Sequence, residues 1–115
     1  MRFKHILILT VVACLLASVA MAHPPGKMFA FYSAGEEVLK IKIDHGVGNV
    51  ESHYIDKIKI YVNDKLVKEK TYDKQTDTAR LTDDIPLKGV NKGDTIKIYA
   101  SCNKFGSKTL EIVMK

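Results

Sequence analysis

The sequence predicts an all-β protein, an immunoglobulin-like antiparallel β-sandwich of about seven strands, following an N-terminal signal-peptide helix. Three observations lead there. Several short stretches alternate between branched apolar residues and lysine, the period-two pattern of half-buried strands. Clusters of Gly, Asn, Asp and Pro separate these stretches at short intervals. No segment after residue 22 has the 3.6-residue period of an amphipathic helix.

The first 22 of the 115 residues read as an export signal rather than as fold. Arg2, Lys4 and His5 form a basic start, and Ile6 to Val19 is apolar except for Thr10 and Ser18. Ala20-Met21-Ala22 supplies small residues where a signal peptidase cuts. The apolar stretch is at the short limit for a spanning helix, so the expectation is cleavage after Ala22 and no membrane attachment afterwards. Lipidation at Cys14 is disfavoured, because apolar sequence continues beyond it. The expected product is a periplasmic or secreted domain, residues 23–115.

The mature chain opens with His23-Pro24-Pro25-Gly26, an extended arm, because two prolines fix φ and remove hydrogen-bond donors. Met28 to Tyr32 is a short aromatic strand. Val38 to Asp44 sets Leu39, Ile41 and Ile43 on one face and Lys40 and Lys42 on the other. A Gly-containing loop runs from His45 to His53. In the run from Tyr54 to Val62, Ile58, Ile60 and Val62 alternate with lysine and tyrosine. Asn63-Asp64 signals a hairpin turn, returning the chain as Leu66 to Tyr72. Thr78 to Ile85 is a weaker strand, and Thr95 to Cys102 alternates through Ile96, Ile98 and Ala100. Leu110, Ile112 and Met114 mark the last strand.

Composition narrows the function. Cleavage removes Arg2 and Lys4, two of the five excess positive charges, and leaves lysines spread over every strand. A nucleic-acid surface needs a clustered basic face, so that class is set aside. No Gly-x-Ser-x-Gly elbow and no phosphate-binding Gly loop after a strand is present, and no catalytic residue is assigned. Cleavage also removes Cys14, leaving Cys102 without an internal disulfide partner. A thiol with imidazoles suits iron, copper or zinc, not magnesium or calcium. His45 and His53 close one loop, and Cys102 ends a strand where sandwich loops gather. A buried structural cysteine and surface histidines are the plainer alternative.

The pattern His45-x-Val47-x-Asn49, then His53-Tyr54-Ile55, then Cys102-Asn103 with Gly106 resembles the iron domain of superoxide reductases. That family includes neelaredoxins and the iron domain of desulfoferrodoxins. Its motifs run His-Pro-Asn, Glu-His-(His/Tyr)-Ile and Cys-Asn-x-His-Gly. The resemblance covers Asp44 to the C-terminus and implies an immunoglobulin-like fold for residues 23–115. It further implies a non-haem iron held by histidines and an axial cysteine thiolate. Superoxide would be the substrate, reduced to peroxide with electrons from an external donor. His45 and His53 would then be equatorial ligands and Cys102 the axial one.

Two departures stand out. Phe105 occupies the place of the family's histidine after Cys-Asn, and the family's N-terminal Glu-Lys-His ligand loop is absent. His23 is the substitute within reach. If cleavage makes it the first residue, its α-amine and ring nitrogen can chelate one metal together, an arrangement copper favours. A metal carrier for copper or iron without turnover, and a metal-free immunoglobulin-like interaction module, therefore stand beside the enzyme.

Overall fold

The computed structural model describes residues 23–115; the expected signal helix, with Cys14, lies outside the described residues. Seven strands follow the arm: β1 (Met28–Ser33), β2 (Val38–Asp44), β3 (Ile55–Val62), β4 (Lys65–Thr71), β5 (Arg80–Pro86), β6 (Thr95–Cys102) and β7 (Ser107–Val113). They form a three-stranded sheet in the order β1-β2-β5 and a four-stranded sheet in the order β4-β3-β6-β7. Every pairing is antiparallel. Among the described residues there is no helix.

Alternation decides what is buried. Leu39, Ile41 and Ile43 of β2 point inward, with Leu81 and Ile85 of β5 and Met28 and Tyr32 of β1. The other sheet contributes Ile55, Ile58 and Ile60 from β3 and Ile96, Ile98 and Ala100 from β6. Val62 and Ile112, which period-two alternation sets on the apolar faces of their strands, are partly buried at the margin of the core. Lysines 40 and 42 face water, as the period-two reading requires.

Ile55 breaks the simple alternation, because three positions separate it from Ile58. A register shift against β6 between Ile55 and Lys57 absorbs the odd residue, Asp56. Such a bulge lets one strand carry an extra residue and turns its neighbours to a new face. Asp56 is stabilised outside that ladder: its carbonyl accepts from Tyr72 N–H at 2.8 Å and its carboxylate from Ser101 Oγ at 2.9 Å. Ile55 is thereby fully buried opposite Cys102.

The Asn63-Asp64 hairpin forms as the sequence indicates, both residues adopting positive φ (49° and 67°). Two strand starts differ from expectation by more than one residue. β5 starts at Arg80 rather than Thr78, because the Asp77 carboxylate accepts from the N–H groups of Ala79 and Arg80 and holds a turn there. The last strand starts at Ser107, three residues earlier than its apolar positions indicate, since it pairs with β6 along its whole length. Met114 lies beyond it and bonds to the Gly93-Asp94 turn.

The open edges of β4 and β5 are joined across the two sheets by a polar clasp. The Asp83 carboxylate accepts from Tyr72 Oη at 2.6 Å and pairs with Lys70. Burial pushes the Tyr72 hydroxyl well above its ordinary value, and the Asp83 hydrogen bond adds to the effect. Replacing Ile58, fully buried between the sheets, by Ala is expected to cost about 2–5 kcal/mol of stability, through lost burial and the cavity left behind. Chemical denaturation of residues 23–115 measures this; a cost below about 1 kcal/mol would mean that Ile58 is not in the shared core.

Candidate metal centre

Three histidines from three places in the chain meet at one end of the sandwich. His45 follows directly on β2, and its N–H donates to Ala79 O at 2.9 Å. Val47 N–H likewise donates to Thr78 O, so the chain leaves β2 bound to the segment that enters β5. Asn49 then builds a turn. Its carbonyl accepts from the N–H groups of Ser52 (3.3 Å) and His53 (3.0 Å), and its side-chain oxygen accepts from Glu51 N–H. This turn brings His53 back over His45.

His23 arrives on the arm. Gly26 N–H donates to Asp44 O and Asp44 N–H donates to Lys27 O, so the arm runs along the end of β2. It also crosses the turn after β6. Gly106 has φ +83° there, and a Cβ on it would stand 2.6 Å from Pro24 Cβ. Glycine is required at that position both by its backbone conformation and by the approach of the arm.

The ring centroids are 4.8 Å apart for His23 and His45, 5.0 Å for His23 and His53, and 4.8 Å for His45 and His53. One nitrogen from each ring lies within 4.8 Å of the others. Donors bound to one metal at about 2.0–2.1 Å stand roughly 3–4 Å apart, so small ring movements close this set on an ion. The Nε2 atoms of His45 and His53 are shielded from solvent and have no hydrogen-bond partner. A buried polar atom without a partner is costly, and a metal removes that cost by taking the lone pair. The donor set therefore fits a transition metal that accepts imidazole.

Protonation is disfavoured at the same place. Burial holds the His53 imidazole below its ordinary value, and His45, His23 and Lys104 nearby lower it further. A histidine kept neutral at neutral pH keeps its lone pair available to an ion.

Cys102 lies at this end of the molecule but outside the set of mutually close donor atoms. It is the last inward residue of β6, is buried, and pairs with Ile55. Its sulfur accepts from Lys104 N–H at 3.4 Å, and its own N–H donates to Gly106 O. Asn103 fastens this turn to the His53 loop: its side-chain oxygen accepts from Tyr54 N–H at 2.9 Å, its Nδ2 donates to Ser52 O, and its N–H donates to Tyr54 O. Phe105 at the tip is exposed.

One residue of the site has no signature in the sequence. Gln75, from the polar loop before β5, is 2% exposed, and its side-chain oxygen lies 2.7 Å from His45 Nδ1. A glutamine in a polar loop looks like surface; only the fold reveals that it is buried behind a histidine.

No protein-family model matches the chain, and no curated protein matches it in sequence. Among solved structures, a superoxide reductase (neelaredoxin) from Ignicoccus hospitalis aligns with 81% of this chain and 80% of its own, at 18% identity and a TM-score of 0.49. A variant of that protein aligns with 85% of this chain and 83% of its own, at 19% identity and a TM-score of 0.50. The fold is similar to that of superoxide reductase. At this identity the likeness concerns the sandwich, and the chemistry of the site rests on the side chains described above.

The lowered value of His53 sets a pH dependence. As pH falls, the unfolded chain binds a proton at about 6.5, before the folded state does. The contribution of neutral His53 is thus complete above about pH 6.5 and is lost as pH falls from there towards its lower folded value. Thermal unfolding of the metal-free protein from about pH 8 to pH 5 is expected to show this loss, and His53→Gln to make the slope shallower; equal slopes would show that His53 does not resist protonation.

Proposed function

We propose that the exported, processed protein binds a non-haem iron through His23, His45, His53 and Cys102 and reduces superoxide to peroxide with electrons from an external donor. The observation that carries the reading is the pair of buried, unpartnered Nε2 atoms of His45 and His53 beside His23, in a superoxide reductase-like fold. When bound, iron supplies one-electron transfer to superoxide, with two protons completing hydrogen peroxide. The imidazoles would hold the ion at the end of the sandwich, with His53, kept neutral, offering its lone pair. Cys102 would approach from the core side, its sulfur already accepting the Lys104 N–H at 3.4 Å. After cleavage behind Ala22, the α-amine of His23 would supply a further nitrogen, standing in for the histidine that Phe105 replaces.

The position of Phe105 favours a second reading. With an exposed phenyl group at that turn, His23, His45 and His53 are the only histidines of residues 23–115. Three imidazoles and a thiol also make a metal carrier for copper or iron that does not turn over superoxide.

Elemental analysis of protein exported and processed in its own compartment, followed by anaerobic loading with ferrous iron and a superoxide-consumption assay, tests the proposal. Iron at one equivalent with turnover supports it; copper or iron without turnover supports the carrier; absence of any metal removes both. Cys102→Ser is expected to abolish thiolate-to-metal charge-transfer absorption in the loaded protein while nitrogen ligation persists. Survival of that absorption would exclude Cys102 as a ligand. One Ala added before His23 displaces the α-amine and is expected to weaken metal binding by at least about tenfold if the amine is a ligand; unchanged affinity would limit His23 to its ring.

A further inference from the structure

We infer that Gln75 is a positioning residue for the metal centre: its buried side-chain amide fixes His45 as the Nδ1–H tautomer and so presents the Nε2 lone pair to the ion. This rests on the metal-binding reading above.

The orientation of the amide follows from partners whose roles cannot reverse. Gln75 Oε1 lies 3.2 Å from the N–H of Ile55, which can only donate. Gln75 Nε2 lies 2.7 Å from His45 O and 3.1 Å from Asp77 O, which can only accept. A flipped amide would set an N–H₂ group against an N–H, and an oxygen against two carbonyls. The oxygen is therefore the atom facing His45 Nδ1 at 2.7 Å, and that nitrogen must carry the proton. In neutral imidazole the other nitrogen then holds the lone pair, and His45 Nε2 is the buried atom without a partner.

The same amide holds the place together. Gln75 N–H donates to Val50 O at 3.1 Å, so the residue is tied to the His45–His53 loop by backbone as well as side chain. Through its oxygen it also joins His45 to Ile55, the first residue of β3 and two positions after His53. One glutamine thus sets the tautomer of one ligand and the position of the strand that starts beside another. Partners of this kind behind a ligating histidine typically change metal affinity by about 10–100-fold when removed.

The test uses imidazole-nitrogen NMR of the metal-free processed protein, with cobalt(II) titration as the binding probe. Wild-type His45 is expected to show a protonated Nδ1 and an unprotonated Nε2; the opposite pattern overturns the proposal before any variant is made. Gln75→Leu removes the acceptor and is expected to release His45 into a tautomer mixture and weaken cobalt binding by about 10–100-fold. Gln75→Glu loses the donors to His45 O and Asp77 O, so it is damaged structurally, yet it keeps an acceptor for Nδ1–H. It is expected to retain the tautomer and to bind cobalt more tightly than Gln75→Leu. An unchanged tautomer in Gln75→Leu, or equal loss of affinity in both variants, would show that Gln75 merely supports the loop. If wild-type protein takes up no cobalt or iron, the metal reading falls, while the nitrogen spectra still decide whether Gln75 sets the tautomer.

Discussion

The pairing of β3 with β6 is the interaction on which the molecule depends. It places Ile58 against Ala100, Ile60 against Ile98 and Val62 against Ile96, building much of the core from two adjacent strands. At the far end the bulge at Asp56 keeps Ile55 inward, opposite Cys102. The residues just outside that last pair are His53 with its loop on one side and the Cys102–Gly106 turn on the other. Asn103 laces the two by three hydrogen bonds. Hydrophobic burial therefore determines where the candidate centre lies, and the polar groups of Asn103, Asn49 and Gln75 determine its shape.

Much of this order is written in local pattern, and the rest is not, for identifiable reasons. β2 is legible because Leu39, Ile41 and Ile43 alternate with lysine, and one period fixes both strand and face. Ile55 is not legible as core, since its odd spacing from Ile58 places it outward until a bulge is allowed. The start of β5 depends on a carboxylate, Asp77, holding a turn that residue type alone does not locate. In the candidate site, His45 and His53 stand out because they bracket a short loop. That His23 joins them depends on the arm lying against Asp44 and Pro24 lying against Gly106, contacts between segments far apart in the chain. Gln75 is invisible for the same reason: its role comes from burial at a distance of 30 residues from His45.

The donor set differs from the family pattern that the sequence resembles in a way that bears on chemistry. Histidine donors cluster, but the sulfur of Cys102 stands apart from them as the continuation of the inward face of β6. Its established neighbours are the backbone N–H of Lys104 and, across the strands, Ile55. The histidine group is more open: His23 is exposed, whereas His45 is closed off almost completely.

This difference in exposure among the three rings has a kinetic meaning. His45 and His53 belong to segments sewn into the sandwich, and moving them requires disturbing β2, β3 and the Gln75 loop. His23 rides on an arm tied to β2 by two backbone bonds with Asp44, made by Gly26 N–H and Lys27 O, with Pro25 buried and Pro24 against Gly106. Opening this arm alone would break fewer contacts than displacing either of the other two histidine segments. The rate at which an ion entered or left would then follow the docking of residues 23–27, with His45 and His53 staying in place.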